Sequence, residues 1–177
     1  HALFLGNSLP VREVDFYGSG NGSEVKVGLN RGASGIDGLV ASSAGYSKGL
    51  NQPLTLLLGD LSLLHDLNSL KLISESPKPI VLIVLNNHGG GIFSFLPISE
   101  HKDIFETYFS TPHSLEFKDA AKMFKLSYFN PESPEEFESI YLKQASADKS
   151  CIIEVNTLKE DNIRVQKEWT EFLHQNR

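Results

Sequence analysis

Short aliphatic runs recur along the chain at residues 3–5, 25–27, 54–58, 80–85 and 151–155, each bounded by polar or turn-forming residues. Runs of this length, apolar at successive positions, predict strands buried on both faces. Between the third and fourth runs, Leu63, Leu67, Leu70 and Ile73 share one stripe of a helical surface, so this stretch reads as strand, helix, strand. Phe117, Ala120, Ala121 and Phe124 signal a second helix, and Phe137, Ile140, Tyr141 and Ala145 a third. The third has a marked start. Ser133 can cap, Pro134 suits the first helical position, and Glu136 can close a capping box. Val165, Trp169, Phe172 and Leu173 mark a final amphipathic helix. Alternating strands and helices predict an α/β fold, a parallel sheet of about five to six strands with helices on both faces.

Two stretches interrupt the pattern. Residues 18–23, rich in Gly and Ser, read as a surface turn. Residues 89–113 begin with three glycines and then lose any clear period. A connection that long is expected either to fold over a ligand or to form an interface.

Composition narrows the class. With 177 residues, 40% of them hydrophobic and 21% charged, the whole of 1–177 reads as one globular domain that needs no disulfide framework, in keeping with its single cysteine, Cys151. A net charge of −6 without a Lys/Arg cluster points away from nucleic acid as a partner. The longest aliphatic run has six residues, far below the ~20 of a spanning helix. The opening residues lack Met and the features of a signal peptide, which leads us to expect a piece of something longer. A glycosylation triplet at Asn21 is of a kind that arises often by chance.

In an open parallel sheet, ligands bind beyond the carboxyl ends of the strands. Here those ends are polar: Gly6-Asn7-Ser8, Asn30-Arg31-Gly32-Ala33-Ser34-Gly35, Gly59-Asp60-Leu61-Ser62, and Asn86-Asn87-His88-Gly89-Gly90-Gly91. Asp60 and Asn87 are 27 residues apart, the span of one helical crossover. A carboxylate and an amide at neighbouring strand ends suit a hard divalent cation such as Mg²⁺, with places left for phosphate oxygens. The amino terminus of the following helix would add its amides and dipole. The alternative is that Asp60 only caps its helix and the asparagines only shape a turn. Spacing alone leaves both open.

Gly59-Asp60 with the closing Asn86-Asn87 pair resembles the thiamine diphosphate binding motif. The segments 30–38, 6–8 and 90–97 narrow the resemblance to the thiamine-dependent synthases that make 2-succinyl-5-enolpyruvyl-6-hydroxy-3-cyclohexene-1-carboxylate for menaquinone and phylloquinone. It is strongest over residues 3–97 and covers only the carboxy-terminal, diphosphate-binding domain of such an enzyme. It implies the thiamine diphosphate-binding fold, with thiamine diphosphate and Mg²⁺ (or Mn²⁺) as cofactors. By the same resemblance, Asp60, Asn87 and the Gly89 carbonyl would hold the metal, and Gly59, Leu61 and Ser62 would border the diphosphate. Ile36 would support the thiazolium ring, while Ser8, Arg12, Arg31, Ile92 and Phe93 would meet substrate. Leu61 replaces the usual second glycine of the motif, as this branch tolerates. Gly91 stands where some members carry a polar side chain, so no contact from that position is carried over.

The implied reaction decarboxylates 2-oxoglutarate and adds the succinyl unit to isochorismate. No catalytic residue is assigned within this chain, because the glutamate that activates the cofactor belongs to a pyrimidine-binding domain, supplied in this family by a second subunit. The resemblance implies a homodimer or homotetramer, in bacterial cytoplasm or in a plastid of a plant or alga. Two alternatives stay open: another thiamine enzyme of the acetohydroxyacid synthase kind, and a non-catalytic cofactor-binding or assembly fragment. Other chemistries lack their motifs, since there is no phosphate loop, no His-Glu-x-x-His pair and no Gly-x-Ser-x-Gly elbow. His65, His88, His101 and His113 show no ligand spacing, and only His88 is expected at the crevice. Cys151, with no flanking cation, reads as a structural thiol.

Overall fold

A computed structural model of the chain describes residues 1–19 and 24–175; the triplet at Asn21 lies outside them. Six strands form one sheet: β1 (Ala2–Leu5), β2 (Val27–Leu29), β3 (Leu54–Gly59), β4 (Ile80–Asn86), β5 (Ser127–Phe129) and β6 (Cys151–Asn156). Their order is β2-β1-β3-β4-β6-β5, with every pairing parallel. The helices are α1 (Leu9–Tyr17), α2 (Leu39–Leu50), α3 (Asp60–His65), α4 (Leu70–Ser74), α5 (Lys102–Phe105), α6 (Lys118–Met123), α7 (Pro134–Ala145) and α8 (Lys159–Gln175).

The runs at 3–5, 54–58, 80–85 and 151–155 form the four inner strands of the sheet. Leu56, Leu58, Leu82, Val84 and Ile152 face one side, where they pack with Leu39 and Val40 of α2, Leu63 of α3, Leu70 and Ile73 of α4, and Ala121 of α6. Val81, Ile83, Cys151 and Ile153 face the other, under Phe137, Ile140 and Tyr141 of α7. Helices therefore cover both faces, as expected. Each fully buried aliphatic side chain here contributes about 1.5–3 kcal/mol of transfer free energy.

Three expectations need correction. The second strand lies at Val27–Leu29 rather than 25–27, and it is an edge strand in which only Gly28 is buried. The single helix expected between β3 and β4 is broken into α3, a tight turn at Leu67–Ser69, and α4. Buried Asp66 causes the break: Oδ2 accepts the Ala41 amide of α2 at 2.9 Å and Oδ1 accepts the Ser69 hydroxyl, so the carboxylate serves tertiary contacts at the point where the helix would continue. At α7, Ser133 Oγ accepts the Glu136 amide at 3.2 Å, but Glu136 Oε2 closes the box on Glu132 N rather than on Ser133.

Residues 89–113 fold into short turns and α5 rather than an open loop. They return to the end of β4, where Gly90 N donates to Ser110 O at 2.7 Å and His113 N to His88 O at 3.2 Å. No helix among the described residues is long and apolar enough to cross a membrane.

Candidate functional site

β1 pairs with β2 on one side and β3 on the other, so the chain changes direction across the sheet at β1 and β3. The carboxyl ends of β1, β3 and β4 open there onto a crevice of about 860 Å³. This is the position the sheet topology favours for a ligand. Its wall includes Ser8, Arg12, Arg31, Ile36, Gly59, Asp60, Leu61, Ser62, Asn87, Gly89, Ile92 and Phe93, all the side chains and backbone groups singled out from the sequence. The far wall is β6 and α8, with Asn156, Thr157, Leu158, Asn162 and Val165. Lys159 pins that wall: its Nζ donates to Ser110 Oγ at 2.7 Å, lies 3.5 Å from Glu106 Oε1, and sits 5.0 Å from the centre of the Phe105 ring.

Asp60 opens α3 directly beyond Gly59, which occupies the cap position. Its carboxylate is buried and accepts two amides, Leu61 N at 2.6 Å on Oδ1 and Gly89 N at 2.9 Å on Oδ2. The second bond joins the end of β3 to the loop after β4. Burial pushes the Asp60 carboxyl above its ordinary value, while those two amides and the nearby His113 and His88 pull it partly back. Asn87 Oδ1 is buried and has no hydrogen-bond partner among the described residues. An orphaned buried amide oxygen in the same crevice as a buried carboxylate is costly unless something meets it. With the Gly89 carbonyl, which accepts Gly91 N at 3.0 Å and keeps a second lone pair, these are the hard oxygen donors that a divalent cation takes. No group of three His, Cys, Asp or Glu side chains suited to a metal occurs among the described residues, so this mixed oxygen set is the candidate.

Two glycines shape the loop. Gly89 has φ 149°, and a Cβ there would come within 2.3 Å of Ser110 O. At Gly91, a Cβ would lie 2.5 Å from Asn87 Nδ2. A side chain at position 91 would therefore displace the Asn87 amide, which is the physical reason to assign no polar contact to it here. Ser8, at φ 74°, is a strained non-glycine residue at the end of β1, of the kind that gathers at functional sites.

The arginines are not consumed by surface pairing. Arg12 Nη1 donates to Ser8 O at 2.7 Å and Arg31 Nη1 reaches Asn7 Oδ1 at 3.4 Å. Neither takes part in the ion pairs found among the described residues. Both are exposed at the crevice with hydrogen-bonding capacity to spare.

The histidines differ from expectation. His88 is not among the side chains lining the crevice; its ring packs edge-on against His113 at 5.8 Å. His113, read from the sequence as uninvolved, brings Nε2 to 3.2 Å from Asp60 Oδ2. Its Nδ1 accepts the Leu115 amide, while Nε2, though close to the carboxylate, makes no hydrogen bond among the described residues. No spacing rule reveals this contact, because it depends on how residues 89–113 fold back. Glu13 also lines the crevice, and burial raises its carboxyl. Cys151 is buried in the sheet, where desolvation pushes its thiol up to about 12 and keeps it un-ionised.

No family model matches the chain. Among curated proteins it is 50% identical over 165 residues to the 2-succinyl-5-enolpyruvyl-6-hydroxy-3-cyclohexene-1-carboxylate synthase of Chlorobium phaeobacteroides (strain BS1), a match covering 92% of this chain and 28% of that protein. It is 48% identical over 168 residues to the synthase of the same name from Rubrobacter xylanophilus, covering 95% of this chain and 29% of that one. Almost all of the chain is thus related to one segment of these synthases, and it spans less than a third of their length. Among solved structures, benzoylformate decarboxylase from Polynucleobacter necessarius superposes with a TM-score of 0.72 at 16% identity, covering 89% of this chain and 30% of that one. A structure from Mycobacterium smegmatis, described as that of a putative thiamin diphosphate-dependent enzyme, gives 0.69 at 18% identity, covering 89% and 28%. The fold is that of a domain found in thiamine diphosphate enzymes.

Proposed function

We propose that this chain is the diphosphate- and metal-binding domain of an enzyme that decarboxylates 2-oxoglutarate and joins the succinyl unit to isochorismate, giving 2-succinyl-5-enolpyruvyl-6-hydroxy-3-cyclohexene-1-carboxylate. The observation that carries the reading is the buried, unpartnered Asn87 Oδ1 beside Asp60 and Gly89, within a segment 50% identical to synthases of that name. Asp60, Asn87 and the Gly89 carbonyl would hold Mg²⁺ or Mn²⁺, and Gly59, Leu61 and Ser62 would lie along the diphosphate. Ile36 would press on the ring face of the cofactor. When bound, thiamine diphosphate supplies the electron sink for loss of carbon dioxide from a 2-oxo acid.

The chain's own residues bind, orient and exclude water. Arg12 and Arg31, with Ser8, take the carboxylates of two acidic substrates, for which a planar, permanently charged fork is well suited. Ile92 and Phe93 dry the space between them. A glutamate on a separate pyrimidine-binding domain, supplied by a second subunit, would prime the cofactor, so the working form would be a homodimer or homotetramer. The bacterial sources of the related synthases support a bacterial cytoplasmic setting.

Calorimetry of thiamine diphosphate with and without Mg²⁺, followed by product formation from 2-oxoglutarate and isochorismate, tests the reading in the protein that carries this chain. Metal-dependent binding with turnover of both substrates is the expected result. Binding with turnover of pyruvate alone would move the assignment to the acetohydroxyacid synthase kind. Cofactor binding indifferent to metal would remove the metal site.

A further inference from the structure

Glu154 in β6 is completely buried, yet it forms none of the ion pairs found among the described residues. Its carboxylate is met instead by three neutral donors. Asn86 Nδ2 reaches Oε1 at 2.7 Å, while Phe117 N at 2.9 Å and the Tyr128 hydroxyl at 2.8 Å reach Oε2. A buried carboxylate costs much to desolvate, and a hydrophobic residue would fill the same space more cheaply. Its presence calls for an account in terms of what it orients.

The account lies in Asn86. A side-chain amide can be turned either way round, and its neighbours decide which. Here Glu154 Oε1 and Leu115 O are both acceptors, so only the NH₂ end can face them. Asn86 Oδ1 is thereby turned toward the chain ahead, where it accepts the His88 amide at 3.1 Å. That bond closes a turn in which His88 takes the left-handed conformation, φ 58°, which few residues other than glycine adopt. The turn brings Gly89 N onto Asp60 Oδ2 and leaves Asn87 Oδ1, of an amide that lines the crevice, without a partner among the described residues.

We infer that Glu154 is a positioning residue for the metal-binding loop, acting by fixing the orientation of the Asn86 amide. The inference rests on the proposed reading of the crevice as a cation and diphosphate site. Leucine at position 154 fills much of the same space and offers no acceptor. It leaves Asn86 Nδ2 without its carboxylate partner, and so it releases the turn. Tyr128→Phe provides the control, since it removes a donor to the same carboxylate and leaves the Asn86 contact in place.

Two measurements on the protein carrying this chain test this. Amide exchange at residues 86–91, read by mass spectrometry without metal or cofactor, should quicken about tenfold or more in Glu154→Leu and stay parental in Tyr128→Phe. The Mg²⁺ concentration that half-saturates thiamine diphosphate binding should rise about tenfold or more in Glu154→Leu, the scale of losing one hydrogen bond to a charged group, and not in Tyr128→Phe. Both variants should lose thermal stability, so melting alone does not separate them. Should Glu154→Leu fail to fold, Asn86→Ala carries the same two expectations through the other end of the link. Parental exchange and parental Mg²⁺ dependence in a folded variant would overturn the inference, as would an equal shift in Tyr128→Phe. A parent protein that binds no thiamine diphosphate would instead overturn the metal-site reading, and this inference with it.

Discussion

The amide of Gly89 donates to Asp60 Oδ2 at 2.9 Å, so the carboxylate proposed to hold the cation also ties the loop after β4 to the end of β3. Metal site and loop anchor are one group. Changes at Asp60 therefore act on the ligand set and on its geometry together.

Asp60→Ala should abolish metal-dependent thiamine diphosphate binding. The substitution removes a cation ligand and frees both Leu61 N and Gly89 N. Undiminished affinity in calorimetry would sink the assignment.

Acidity should weaken metal binding sooner than an ordinary aspartate would require. Burial raises the Asp60 carboxyl above 3.8, so its proton competes with the cation at higher pH. In the metal-free protein the same shift makes Asp60 a source of stability below about pH 3.8, lost as pH rises through the elevated folded value. Stabilisation by Mg²⁺ and cofactor should accordingly grow over that rise. Melting temperatures with and without ligand across acid pH will show it; a ligand increment independent of pH would contradict it.

Gly91→Ala should spare the fold and damage the metal site. The added methyl would lie 2.5 Å from Asn87 Nδ2, the free end of a side chain that can swing aside at small cost to stability. Swinging aside takes Oδ1 with it. We expect the half-saturating Mg²⁺ concentration to rise severalfold while the metal-free melting temperature holds; an unchanged Mg²⁺ requirement would show that Asn87 is not a ligand.

Arg12→Ala and Arg31→Ala should lower kcat/KM for one or both acidic substrates by roughly 10- to 150-fold, the value of a hydrogen bond to a charged group. Neither arginine holds an ion pair among the described residues, so neither should cost much stability. Steady-state kinetics with each substrate varied in turn decides the matter. Unaltered values for both substrates in both variants would return the arginines to a structural role.

The legible parts of this fold are those whose burial leaves a mark on residue type. β3, β4 and β6 are covered on both faces, and their aliphatic runs coincide with the observed strands within a residue at either end. β2 sits at the edge with Val27 and Leu29 exposed, so its true extent leaves no apolar run. α2 went unread because its buried face carries Ser43 and Ser47 beside Ala44. Those hydroxyls are satisfied locally on Val40 O and Gln52 O, a solution invisible to a count of apolar residues. The same logic divides the site. Asp60 and Asn87 are legible as polar residues at the ends of apolar strands, whereas His113 and Glu154 reach the crevice or its loop through long-range folding. Glu154 stands inside an aliphatic run, where it reads as an exception rather than a signal.

β6 enters the sheet between β4 and β5, both of which precede it in the chain. During synthesis β4 must therefore wait with one edge unpaired, presenting seven mostly apolar residues as a template for the strand of another molecule. β5, which pairs only with β6, has nothing to join until then. A nascent chain halted before Cys151 would be both sticky and without the carboxylate that turns Asn86. Completion of the sheet and ordering of the loop after β4 thus depend on the same late stretch of polypeptide, and a truncated product carries the hazard of an open edge with no prospect of forming the crevice.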